Sequence, residues 1–305
     1  LQEIRQKLYE QKNKVGLVGG TIKVEEFDET EHNISAHITP QGWNIEISVK
    51  KGFNPVSDKR QKAYAKRKKI QDGLETLLGD VTLHELAHWE LPHGSERGCP
   101  YDIYNHDKIL EAVQNALPQD KKGIAGYVAN AFEDTMINPR CHEFRGDFGG
   151  QVLFWYKEGL SIKEKGQKAF TPFYEAFVKL NMHLFGDNTD RALLKRHYAN
   201  DEKVDNAVKK VIEDLSLPKN IKDTSRLFDR TQWDSMAGAF ARDLAELLDA
   251  SPTERTSAYS SGCEGSEGQK PEAGNGIEQK LRTSEGKEEV AFGRYAGNDK
   301  HSPNF

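Results

Sequence analysis

Two histidines and a glutamate lie together in the segment His84-Glu85-Leu86-Ala87-His88. Residues four apart in an α-helix share one face, so both imidazoles would project from the same side. Two neutral imidazoles at this spacing can occupy two corners of a tetrahedral zinc site. Glu85 would then lie beside the metal without binding it, where it could accept a proton from a metal-activated water. The spacing therefore indicates a zinc hydrolase.

The residues before this pentad follow a helical pattern. Apolar side chains recur at offsets of 0, 4, 7, 8 and 11 residues within the segment 70–81, and the same stripe continues to His84 and His88. Both histidines are therefore expected on the buried face of the helix. Burying two imidazoles and a carboxylate is costly unless something compensates them, and a bound metal does so. The alternative, two core histidines that only hydrogen-bond to their neighbours, is less favoured.

A zinc hydrolase also needs a third protein ligand and one open position. Two adjacent acids, Glu133 and Asp134, interrupt an otherwise uncharged segment at residues 127–138. An acid among apolar neighbours is expected to face a positive charge. That charge is either a metal ion or a nearby arginine, Arg140 or Arg145, in a structural ion pair.

The segment 81–89 resembles the active-site helix of the zincin metallopeptidases, and the later acids resemble the gluzincin arrangement, in which a glutamate on a later helix completes the site. Residues 133–138 are similar to the Glu-Asp-x-x-Ile-Asn pattern of metallopeptidase domains associated with von Willebrand A-type domains. The resemblance implies a role for each residue: Zn²⁺ binding by His84, His88 and Glu133, general base catalysis by Glu85, and acceptance of a proton from a ligand imidazole by Asp134.

The chain departs from the zincin patterns after the pentad. Glu90 stands where the usual extended pattern has a hydrophobic residue. The metzincin continuation H-E-x-x-H-x-x-G-x-x-H requires glycine where this chain has Leu91 and histidine where it has Gly94. His93 is one position short of that last histidine, and it is the alternative third ligand.

The pattern along the chain predicts an α+β, zincin-like fold. Apolar residues alternate at 34–38 and 43–49 around Pro40-Gln41-Gly42, which predicts a hairpin in a small N-terminal antiparallel sheet. The active-site helix follows, and then a mainly helical C-terminal lobe. Its helices are expected near 107–117, 124–138, 171–184, 190–197 and 201–215 and after Thr231, with the second ending before Pro139 and with a loop at Gly146, Gly149 and Gly150.

Composition divides the chain into two parts. Residues 1–250 are predicted to form the zincin-like domain, and residues 251–305 a disordered tail or linker rich in Ser, Gly and Glu. The number of cysteines, three, is odd and they are widely spaced, so a disulfide framework is not expected. We find neither an apolar run of membrane-spanning length nor a signal-peptide core, so a cytoplasmic protein with no membrane partner is expected.

The charge balance does not indicate a nucleic-acid-binding protein. The formal net charge is -5 at pH 7. The run 59–69 is strongly basic, and it is either a contact for an anionic partner or a solvated helix face. The second interpretation is favoured, because Tyr64 is the one aromatic residue in the run.

The predicted activity is hydrolysis of peptide bonds in a peptide or protein substrate. The residue that would stabilise the oxyanion is open among His142, Tyr127 and Arg140. The alternative function is a non-proteolytic, zincin-derived binding or regulatory module with a structural zinc. Its partner protein would be a von Willebrand A-type or ATPase component.

Overall fold

The computed structural model describes residues 2–14, 21–28, 33–39, 44–88, 106–164 and 170–248. Three strands form one sheet: β1 Ile22–Phe27, β2 Ile34–Thr39 and β3 Asn44–Lys50. The helices of the described part are α1 Gln2–Lys14, α2 Lys59–Lys68, α3 Gly73–Ala87, α4 His106–Ala116, α5 Ala125–Arg145, α6 Gly149–Glu164, α7 Pro172–Leu184, α8 Asn188–Leu194, α9 Glu202–Asp214 and α10 Trp233–Leu244.

This architecture is mostly helical with a small sheet, so the α+β class is confirmed at that level. The helices predicted after the pentad are present, most of them with small shifts at their ends, but α5 extends well past its predicted end and α6 was not predicted. Four predictions fall outside the described residues: the tail at 251–305, the alternative ligand His93, the departure at Glu90 and the turn Pro40-Gln41-Gly42.

The sheet has the strand order β1-β3-β2. Strands β2 and β3 form the predicted antiparallel hairpin, with Ile34 opposite Val49. The prediction of a wholly antiparallel sheet is wrong, because β1 pairs with the other edge of β3 in parallel, with Ile22 opposite Ile45. Alternation of apolar residues specifies which face of a strand is buried, but it does not specify the direction of its neighbour.

The basic segment and the pentad lie on two separate helices. Helix α2 begins at the N-cap Asp58 and ends at Lys69, whose φ of 58° is left-handed. Helix α3 begins one turn later than its apolar stripe suggested, because the Asp72 carboxylate accepts a hydrogen bond from the Glu75 amide at 3.0 Å and caps the helix there. Every residue of α3 from Leu77 to Ala87 is buried.

Helix α6 holds α3 from one side. It begins at Gly149, so the loop predicted around the three glycines is shorter than expected. A Cβ atom at Gly150 would lie 2.6 Å from the Cα atom of Leu77, so only glycine permits this approach of the two helices. The Asp80 carboxylate accepts a hydrogen bond from the Gln151 amide at 3.0 Å and lies 3.0 Å from Arg145.

Helix α5 passes through Pro139 and ends at Arg145, which corrects the predicted stop before the proline. A proline inside a helix removes one backbone hydrogen bond and costs about 3 kcal/mol. Burial offsets that cost, because α5 is buried without interruption from Ala125 to Cys141. Gly146 caps the end of the helix, and its left-handed φ of 77° turns the chain there.

Across the described ranges, from residue 2 to residue 248 with their gaps, we find no helix that combines the length and the apolar character needed to cross a membrane.

Candidate metal centre

The two histidines of the pentad lie on the last turn of α3 and face α5. His84 and His88 are 5% and 1% exposed. Helix α5 packs against α3 and brings Asp134, which is 0% exposed, to the same point. Burial of a carboxylate beside two imidazoles requires strong compensation by charge or by hydrogen bonds.

Three atoms of these side chains form a compact triangle. The Nε2 atoms of His84 and His88 are 3.2 Å apart, and Oδ1 of Asp134 lies 3.3 Å from the first and 3.5 Å from the second. A tetrahedral zinc site with bonds of about 2.0–2.1 Å has ligand-to-ligand edges of about 3.3–3.4 Å. The triangle therefore has the size of one face of such a site. Within the described residues, it is the one group of three potential metal-binding side chains this close together.

A chain of hydrogen bonds orients the ring of His84. The backbone carbonyl of Phe177 can only accept, so the Asn181 amide nitrogen donates to it at 2.9 Å. The Asn181 oxygen then accepts from the amide nitrogen of Asn138 at 2.9 Å. The Asn138 oxygen therefore faces His84 Nδ1, 2.8 Å away, and accepts a hydrogen bond from that nitrogen. The lone pair of Nε2 is left to face the triangle.

Glu133 lies on the opposite side of the His88 ring from the triangle. Its Oε2 atom is 3.5 Å from His88 Nδ1, and the side chain is fully buried. A carboxylate at this position favours a proton on Nδ1 and directs the lone pair of Nε2 towards Asp134. The structure thus brings both predicted acids to the histidines, but it places Asp134 in the triangle and Glu133 behind His88, the reverse of the arrangement implied by the resemblance.

The sequence contained a signal for this arrangement that we did not use. Asn130, Asp134 and Asn138 follow one another at intervals of four on α5, so they share one face. Asn130 donates a hydrogen bond to Asp134 at 3.3 Å. The residues four before and four after Glu133 are Ala129 and Ile137, which are apolar. The polar stripe therefore indicated Asp134 as the acid that faces α3.

Glu85 is also fully buried on α3. Burial lowers the pKa of His84, but the charge and hydrogen bond of Asp134, the charge of Glu85 and the hydrogen bond that His84 donates to Asn138 outweigh it and raise that pKa. The pentad and α5 together surround the two imidazoles with negative charge. Such an environment stabilises a cation at the triangle.

Arg230 contacts the end of the metal-site helix from a distant part of the chain. Its guanidinium donates hydrogen bonds to the carbonyl oxygens of Ala87 and His88, at 2.8 and 2.9 Å. These carbonyls belong to the last turn of α3, where a positive charge interacts favourably with the helix dipole. The arginine is 4% exposed and lies in the short 3₁₀ turn Arg230–Gln232. No local pattern in the sequence indicates this contact, because Arg230 is 142 residues from His88.

The three predicted candidates for oxyanion stabilisation lie at different places along α5. Tyr127 packs against Phe173, with ring centroids 4.9 Å apart. Arg140 lies over the ring of Phe228, with its guanidinium carbon 4.2 Å from the centroid. His142 stacks on Phe185.

Comparison of the chain with protein-family models, with curated proteins and with solved structures finds no match in any of the three.

Proposed function

We propose that this protein is a zinc-dependent metallopeptidase that hydrolyses peptide bonds with Glu85 as general base. The observation that carries the proposal is the triangle of His84, His88 and Asp134, whose edges of 3.2, 3.3 and 3.5 Å suit a tetrahedral zinc ion. Two imidazoles and one carboxylate form a donor set of catalytic zinc sites in peptidases. Three protein ligands leave the fourth position for water or substrate.

Zn²⁺ at this point would supply a Lewis acid that polarises the substrate carbonyl and lowers the pKa of the attacking water. The Glu85 carboxylate takes the proton of that water and then delivers it to the leaving amine. Asn138 and Glu133 hold the two histidine rings with their Nε2 lone pairs in the triangle.

We propose also that the fold is zincin-like. Its support is the order of elements: a small sheet, then the helix that carries the histidines, then a later helix that carries the acid. Strand β2 packs against α3, so the sheet lies directly beside the metal-site helix. Within the described sheet β2 is an edge strand, and such an edge would suit an extended peptide substrate.

A second candidate is a non-proteolytic module with a structural zinc, which would act through a partner protein such as a von Willebrand A-type or ATPase component. Burial favours this candidate, because His88 is 1% exposed and Glu85, Glu133 and Asp134 are 0% exposed. Structural zinc sites are closed, whereas catalytic sites keep one position open. The presence of Glu85 favours the peptidase, since a structural site needs no general base.

The decisive experiment combines zinc binding with peptide cleavage. The full chain is titrated with Zn²⁺ and then incubated with a peptide library whose products are read by mass spectrometry. The variants are Glu85→Gln and, as a matched control, Glu111→Gln, which makes the same change on the exposed surface of α4. We expect one zinc per chain in all three proteins and cleavage by the wild type and the control only.

Each other outcome has a defined meaning. One zinc per chain without cleavage by any protein supports the structural module. Cleavage at full rate by Glu85→Gln contradicts the proposed mechanism. Failure of the wild type to bind zinc contradicts both candidates.

A further inference from the structure

Helices α2 and α8 lie side by side and leave a groove between them. The groove has a volume of about 180 Å³. Three arginines line it: Arg60 and Arg67 from α2, and Arg196 from the turn that follows α8. Arg60 and Arg67 are seven residues apart, about two helical turns, so they project from the same face of α2.

The charge of the groove is entirely positive. No carboxylate occurs among its lining residues, while three guanidinium groups do. The acids of the neighbouring segment are held by Lys68, whose ammonium lies 3.0 Å from Asp187 and 2.8 Å from Asp190. Lys68 also lies 3.2 Å from Asp147, so its single positive charge offsets these three carboxylates only in part. The three arginines are nevertheless the charged side chains that line the groove itself.

The lining also has an apolar part, Ala63, Ala192 and Leu193, which we call the floor of the groove. Thr189, whose side chain carries a hydroxyl, lies beside it in the same lining. Guanidinium groups bind phosphoryl oxygens in pairs, and clusters of arginine are the usual recognition element for phosphate esters. An apolar floor beneath three guanidinium groups is complementary to a phosphoryl group attached to an apolar carrier.

We propose that this groove binds a phosphate monoester, with the arginines contacting the phosphoryl oxygens and the floor contacting the organic group. Nucleic acid fits less well. Single strands bind through aromatic side chains on which bases stack, and the one aromatic residue of the groove, Tyr64, is 2% exposed with its hydroxyl hydrogen-bonded to Asp190. The proposal is independent of the metal centre.

The test uses phenyl phosphate, inorganic phosphate and phenol as probes, titrated into the full chain by isothermal calorimetry at constant ionic strength. Phenyl phosphate is expected to bind more tightly than inorganic phosphate, and phenol is expected not to bind. The variants Arg67→Gln and Arg196→Gln should each weaken phenyl phosphate binding about tenfold or more, since each removes charge-assisted hydrogen bonds. Arg242→Gln, which removes an exposed charge from α10, is the control and should bind as the wild type does.

Several results would overturn the proposal. The first is absence of saturable phenyl phosphate binding, and the second is an equal loss of affinity in Arg242→Gln, which would indicate nonspecific charge attraction. If inorganic phosphate bound as tightly as phenyl phosphate, the floor would not contribute to binding, which contradicts the proposed contact with the organic group. Binding of a single-stranded RNA that depends on Arg67 and Arg196, without binding of phenyl phosphate, would assign the surface to nucleic acid instead.

Discussion

The Nε2 atom of His84 and the Oδ1 atom of Asp134 lie 3.3 Å apart, although the residues belong to different helices. The same histidine ring is held at its other nitrogen by Asn138, one helical turn after Asp134. One face of α5 therefore contacts both edges of one imidazole. This relationship defines how α5 is rotated about its own axis. Asp134 and Glu133 therefore lie at different positions around the histidines, and mutation can test their roles separately.

Replacement of the two acids should have unequal effects on zinc affinity. Asp134→Asn removes a side chain of the triangle, so we expect a larger loss than for Glu133→Gln. The glutamate supports a ligand from behind, and changes of that kind weaken binding about 10- to 100-fold. Competition with a chromophoric chelator measures both affinities. If Glu133→Gln caused the larger loss, Glu133 rather than Asp134 would be the third ligand.

The orientation of His84 should depend on the oxygen of Asn138. The variant Asn138→Leu has a side chain of similar size that cannot accept a hydrogen bond from His84 Nδ1, so zinc affinity should fall about 10- to 100-fold. Asn138→Asp keeps an oxygen at that position and should retain more of the affinity. The same chelator competition distinguishes the two. Equal losses in both variants would show that packing, and not the hydrogen bond, is what matters at this position.

Arg230 should stabilise the end of the metal-site helix. Arg230→Met leaves the buried carbonyls of Ala87 and His88 without their charged donor, so the free energy of unfolding should fall by about 1.5–3 kcal/mol per hydrogen bond lost. Urea denaturation of the zinc-free protein measures this loss. The exposed Arg226, in the preceding turn, supplies the control Arg226→Met, which should change stability by less than about 0.5 kcal/mol. Equal effects of the two changes would contradict the role of Arg230.

The contact between α3 and α6 should make stability depend on pH. Burial raises the pKa of Asp80 from 3.8 to about 7, against the opposing effects of Arg145 and of the backbone donors of α6. The folded protein thus keeps a proton that the unfolded chain releases near pH 4. The contribution of the protonated Asp80 to the free energy of unfolding is complete below that pH. It is lost as pH rises towards 7, by up to about 1.4 kcal/mol per pH unit.

The variant Asp80→Asn isolates this effect, because asparagine does not titrate. The free energy of unfolding of the wild type, minus that of the variant, should decrease between pH 4.5 and pH 7 in urea denaturation. A difference that stays constant over this range would show that Asp80 has the same pKa in the folded and unfolded states.

Local patterns in the sequence predicted most of the elements correctly. The apolar stripe before the pentad placed His84 and His88 on a buried helical face, and the structure buries both. The hairpin of β2 and β3 was likewise evident from alternation. Helix periodicity and strand alternation depend on neighbours in the chain, which is why these features can be inferred without tertiary structure.

The errors occurred where distant packing overrides a local signal. Pro139 normally ends a helix, but burial of α5 along its length carries the helix through it. Glycines at 149 and 150 suggested a loop, whereas both lie in the first turn of α6, and Gly150 permits that helix to approach α3 closely. Strand β1 joins the sheet in parallel, and nothing within its own six residues specifies that direction.

The sequence by itself determined that two imidazoles and a carboxylate share one buried helix and that an acidic pair follows on a later one. The polar stripe of α5 favours Asp134, but the tertiary structure decided which acid joins the histidines. Consecutive residues on a helix point about 100° apart, so Glu133 and Asp134 cannot face the same point. The rotation of α5 against α3, which results from the packing of the whole core, places Asp134 in the triangle and Glu133 behind His88.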